Sequence, residues 1–101
     1  MELIPRYDSR QSFYGKATTE QDGNTLKLYS YNTLAAEIVS RETSKEFIYM
    51  GKYSQTTTRH QKEFFKQNGL TDKEIKELMK EGHLEVIQWI ENLKKSYYYG
   101  Y

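Results

Sequence analysis

The chain has no cysteine, a single proline and a formal net charge of only +1 over 101 residues. Without cysteine there is no disulfide framework, no thiolate zinc site and no cysteine nucleophile. A reducing cytoplasm is the expected location. The near-zero net charge argues against an acidic mimic of nucleic acid and against a surface made wholly for phosphate, but allows local patches. No segment approaches 18 apolar residues, so no membrane-spanning helix is expected. The first ten residues, "MELIPRYDSR", lack the cationic segment and apolar stretch of a signal peptide. Neither a phosphate loop nor a glycine fingerprint occurs.

What is abundant is tyrosine, with 10 in the chain. Its apolar ring and polar tip suit half-buried faces and interfaces. At 101 residues the chain supports one domain, 1–101, with one small core.

The first half alternates with period two, the mark of half-buried strands. "SFYGKATTE" (12–20) sets Phe13, Gly15, Ala17 and Thr19 against Tyr14, Lys16, Thr18 and Glu20. The following "QDGN" is a tight-turn signal. "TLKLYSY" (25–31) and "TLAAEIV" (33–39) follow, joined by a short turn or bulge at Asn32 and Thr33. "SRETSK" reads as a second hairpin loop and "EFIYM" (46–50) as a fourth strand, ended by Gly51.

The second half reads as helices. Phe64 and Phe65 follow His60 and Gln61 at helical spacing, and Gly69 is placed to end that helix. Thr71 and Glu74 form a capping-box pattern ahead of Ile75, Leu78 and Met79. After Gly82, with His83 in a loop, "LEVIQWIENLKK" (84–95) presents Val86, Ile87, Trp89, Ile90 and Leu93 as a third helical face or a kinked continuation. The sequence therefore predicts an α+β domain: an antiparallel sheet of about four strands, then two or three C-terminal helices on one face. The expected core is Phe13, Leu26, Leu28, Leu34, Ile38, Phe47, Phe64, Ile75, Leu78, Ile87, Ile90 and Leu93.

The most unusual stretch is "GKYSQTTTRHQKEF" (51–64). Threonine suits a helix edge better than a helix interior. Ser54, Thr56 or Thr57 can accept from one of the unpaired N–H groups of a helix start, and this capping reading is the simplest. The same chemistry permits a second one. A helix N-terminus attracts anions, and Thr56, Thr57 and Thr58 lead into Arg59, Lys62 and Lys66 on one helical face, with Phe64 and His60 beside it, toward the core. Pairing of Arg59 with Glu63 would partly neutralise that patch.

No constellation argues for catalysis. His60 has no serine or cysteine nucleophile at a fixed spacing, His60 and His83 alone make a poor metal set, and Asp8, Asp22 and Asp72 sit at ordinary turn and helix-start positions. No cofactor is expected. Tyr29, Tyr31 and Tyr49 are expected on the sheet, where stacking on bases competes with simple packing. Tyr97, Tyr98, Tyr99 and Tyr101 form a tail suited to a contact surface.

Three segments, "PRYDSRQSFYGKA" (5–17), "LYSYNTLAAEI" (28–38) and "GKYSQTTTRHQKEFFKQNG" (51–69), carry a further signal. In order and spacing they resemble a family of small proteins of unknown function from bacteriophages, prophages and mobile elements, over about residues 5 to 69. The family has no assigned catalytic residues to carry over. The resemblance implies a phage-type accessory protein that binds a host or phage protein. Its most concrete version is an inhibitor of a host defence nuclease such as a CRISPR effector. The expected contact surface is Arg59, Lys62 and Lys66 with the tyrosine tail. The alternative is a small nucleic-acid-binding protein using the basic helix N-terminus.

Overall fold

The computed structural model describes residues 1–8 and 15–87. Its elements run β1 (Ala17–Asp22), β2 (Thr25–Ser30), β3 (Thr33–Ser40), β4 (Ser44–Tyr49), α1 (Gln55–Gln67), α2 (Asp72–Glu81) and β5 (His83–Ile87). The five strands form one antiparallel sheet in the order β1-β2-β3-β4-β5. This is the expected α+β fold with one strand more than the sequence indicated. Among the described residues, no helix is long and apolar enough to cross a membrane.

The turns follow from backbone chemistry. Asp22 pairs with Thr25, leaving Gly23 (φ 60°) and Asn24 as a two-residue hairpin loop. The β2–β3 turn is made by Tyr31 (φ 52°) and Asn32 (φ 68°), one residue earlier than expected. Two left-handed residues in succession are what a type I′ turn requires. Asparagine tolerates this conformation; a bulky tyrosine does so at a cost of about 1 kcal/mol or more.

Both helices cover one face of the sheet, α1 over β2 and β3, α2 over β4 and β5. The core joins Leu28, Ala36, Ile38 and Phe47 of the sheet to Phe64, Phe65, Ile75 and Leu78 of the helices. Leu3 enters from the N-terminal segment, where its N–H donates to the Ala17 carbonyl and Glu2 bridges to Thr18 along the outer edge of β1.

Several expectations are corrected. Leu34 is only half-buried, because Leu28 opposes Ala36 while Tyr29 opposes Leu34. The extra residue, Ala35, is a bulge that turns Leu34 onto the far face. Residues 83–87 are a strand along β4, not helix, and His83 is paired with Ile48 rather than lying in a loop. Gly82, at φ 89°, ends α2 and turns the chain back, so Leu84 and Val86 face the core while Ile87 is exposed. Tyr31 lies in a turn, not on the sheet; Tyr29 and Tyr49 are on strands as expected. Phe13, Trp89, Ile90, Leu93 and the tyrosine tail, Tyr97 to Tyr101, lie outside the described residues.

Candidate functional site

The threonine run enters α1. Ser54 is the N-cap: its hydroxyl accepts from the Thr57 N–H at 3.1 Å. Thr58 turns its hydroxyl back to the Ser54 carbonyl at 2.9 Å. At the other end, Leu70 N–H donates to the Phe65 carbonyl and Gly69 N–H to that of Lys66, each at 3.1 Å. With Gly69 at φ 100°, this is a Schellman termination. The expected Thr71–Glu74 capping box starts α2.

The notable feature of α1 is how polar its buried side is. Thr57, His60, Gln61 and Glu63 are buried beside Phe64 and Phe65; His60 and Gln61 are 0% exposed and Glu63 is 2%. Each polar side chain fixes a different segment of the chain. The Ser30 hydroxyl at the end of β2 lies 2.9 Å from the Thr57 hydroxyl and 2.8 Å from His60 Nδ1. Ser54 donates to the Thr57 hydroxyl at 3.2 Å, so Ser54, Thr57, Ser30 and His60 form one hydrogen-bonded row. The Tyr31 ring lies 5.8 Å from the imidazole, centroid to centroid, and Lys16 Nζ lies 5.7 Å from the Tyr31 ring.

Gln61 donates from Nε2 to the carbonyls of Ala35 (2.9 Å) and Gly51 (3.0 Å). It thereby holds the β3 bulge and the β4–α1 connection together. The carboxylate of Glu63 accepts the backbone N–H groups of Arg6, Tyr7 and Asp8, each at 3.0 Å, and the Gln67 amide at 2.6 Å. A buried charge is tolerated when it is hydrogen-bonded in this way. The Glu63 carboxylate therefore faces the N-terminal segment, not Arg59 as the helical spacing suggested.

The exposed side of α1 is basic, but its cations differ. Lys66 is ion-paired with a carboxylate of α2. Its Nζ lies 2.9 Å from Asp72 Oδ1 and 5.5 Å from the Tyr7 ring. The bond to Asp72 holds the ammonium above the usual lysine range. Arg59, Thr56 and Thr58 are half-buried, and Lys62 is exposed. Lys62 lines a groove of about 460 Å³ between α1 and α2, together with Asp72, Lys73, Ile75, Lys76 and Met79. Lys73 and Lys76 belong to a helical segment where the sequence signalled only a cap and a core stripe.

Of the expected site residues, Thr57 and His60 therefore belong to the buried row, and Lys62 to the groove. Ser30 and Gln61 were not singled out as site residues by the sequence, and Glu63 only as a partner for Arg59, although each lies inside one of its distinctive segments. No group of histidine or acidic side chains among the described residues is arranged to hold a metal ion.

The geometry defines a small α+β domain in which α1 fastens three separated segments. Residues 1–81 match the family described as "Family of unknown function (DUF8033)", and the chain belongs to it. The match includes α2. No curated protein and no solved structure matches the chain.

Proposed function

We propose that this is a non-enzymatic binding protein that acts by contact with another protein. One observation carries the reading: the side chains best suited to chemistry are committed to the fold. The Ser30–His60 pair would suggest a nucleophile and base, but Ser30 is 1% exposed and His60 is fully buried, so a substrate has no approach to them. Glu63 is saturated by four donors. The surface beside them offers contact chemistry instead, with Tyr31, Tyr53 and Lys62 exposed and Arg59 half-buried.

The phage-type setting implied by the sequence resemblance makes a host or phage protein the first partner to seek. Inhibition of a defence nuclease is the most concrete form of that contact. The test is capture from source-cell lysate by the tagged chain, with and without nuclease treatment, at low and high salt. A protein partner should survive nuclease. Capture that vanishes with nuclease, and falls steeply with salt, would replace this reading with direct nucleic-acid binding.

A further inference from the structure

We infer that the groove between α1 and α2 is the docking site of this protein, and that its occupant is an acidic protein segment bearing apolar side chains. The inference rests on the protein-binding reading above and specifies its surface and partner chemistry.

The charge on α2 is sorted. Lys73, Lys76 and Lys80 follow one helical stripe, and Glu74, Glu77 and Glu81 follow another. Lys73 and Lys76 line the groove, and Lys62 joins them from α1. Asp72 is the one carboxylate among the described lining residues, and Lys66 already holds it. Three cations therefore surround the groove without an ion pair among the described residues, and a partner carboxylate gains by complementarity.

The floor decides between partner classes. It is Ile75, 3% exposed, and Met79, partly buried against the core. The groove volume falls within the roughly 300–1,000 Å³ usual for ligand pockets. Apolar side chains fill such a floor, and methionine adapts to them. An amphipathic helix laid in a groove presents both chemistries at once. The lysines alone could neutralise phosphates, but a single-stranded nucleic acid would also gain from stacking aromatics, and the lining holds none.

The test is NMR titration of the isotope-labelled full chain with a synthetic peptide of about twelve residues, glutamates on one side and leucines on the other. Its lysine counterpart and single-stranded DNA of similar length serve as competitors. The acidic peptide should saturate and shift the amides of Lys62, Lys73 and Lys76 and the Met79 methyl group. Lys73→Glu with Lys76→Glu should weaken it by about tenfold or more while the folded spectrum persists. Should that variant fail to fold, Lys73→Ala with Lys76→Ala makes the same comparison. Absence of saturation, shifts centred elsewhere, undiminished binding by the variants, or tighter binding of DNA at these residues would each overturn the inference. Nuclease-resistant capture that persists in the variants would remove the groove but leave the protein-binding reading intact. Absence of such capture by the wild type would remove that reading itself.

Discussion

His60 Nδ1 lies 2.8 Å from the hydroxyl of Ser30, a residue 30 positions earlier in the chain. The contact ties the first turns of α1 to the end of β2, next to the strained Tyr31 turn. Ser30 also meets Thr57, so its hydroxyl serves two buried partners. Ser30→Ala should therefore cost about 2 kcal/mol, as a buried imidazole nitrogen and a threonine hydroxyl lose their shared partner. The same change in a Thr57→Val background should cost less, since one group left unsatisfied is already gone. Urea unfolding of the two single variants and the double variant gives the coupling. Strict additivity would show that the hydroxyls do not act together.

The cap makes a sharper distinction among neighbouring hydroxyls. Ser54→Ala should lower stability by about 1 kcal/mol, and Ser54→Gly by only a few tenths, because glycine is also tolerated at an N-cap. Thr56→Ala should stay within about 0.5 kcal/mol, the usual range for a surface change. Thr57→Ala should also destabilise, through its bond to Ser30 and not through capping. Denaturant midpoints for the four variants test the ordering; a larger loss at Thr56 than at Ser54 would place the cap wrongly.

The parts of the fold legible in the sequence are those written locally. Asp22-Gly23, the Thr71–Glu74 box and Gly69 each encode a turn or an end within a few residues. Period two through residues 25–31 likewise places Leu28 inside. The rest depends on distant partners. The Ala35 bulge inverts Leu34, yet nothing in "TLAAEIV" marks it apart from the small size of its alanines. Leu84, Val86 and Ile87 satisfy a short helical pattern as well as an alternating one, a known ambiguity of short apolar runs. What decides is the edge of β4, which β5 covers. Gln61 and Glu63 were least legible because a polar residue is ordinarily assigned to the solvent face, whereas the helical wheel already sets His60 with Phe64 toward the core. Only the positions of Phe64 and Phe65 beside them hint that this polar side turns inward.

The fifth strand makes a pattern prediction. Leu84 and Val86 pack against the core, whereas His83 and Glu85 are exposed. Leu84→Ala and Val86→Ala should each cost about 1–2 kcal/mol, reduced from full-burial values because both side chains are partly exposed. His83→Ala should change stability by no more than about 0.5 kcal/mol, and Glu85→Ala by no more than about 1 kcal/mol, since its carboxylate accepts the Ser44 hydroxyl at 3.1 Å. Thermal unfolding of the four variants would show a period-two alternation. A large loss at His83 would contradict the register in which it opposes Ile48.

Glu63 separates local from global stability. Four donors converge on its carboxylate, three of them consecutive backbone N–H groups of residues 6–8. Glutamine is close in size but replaces one acceptor oxygen with a donor, so at least one of these groups would face an NH₂. Glu63→Gln should therefore cost about 1.5–3 kcal/mol, the scale of a hydrogen bond to a charged group, and Glu63→Ala more. The loss has a defined address. Exchange at the Arg6, Tyr7 and Asp8 amides should accelerate well before that at Leu28, which lies in the core away from this clamp. Hydrogen exchange on Glu63→Gln resolves the two. Uniform acceleration would make Glu63 a general contributor to stability, and unchanged exchange at residues 6–8 would remove the clamp altogether.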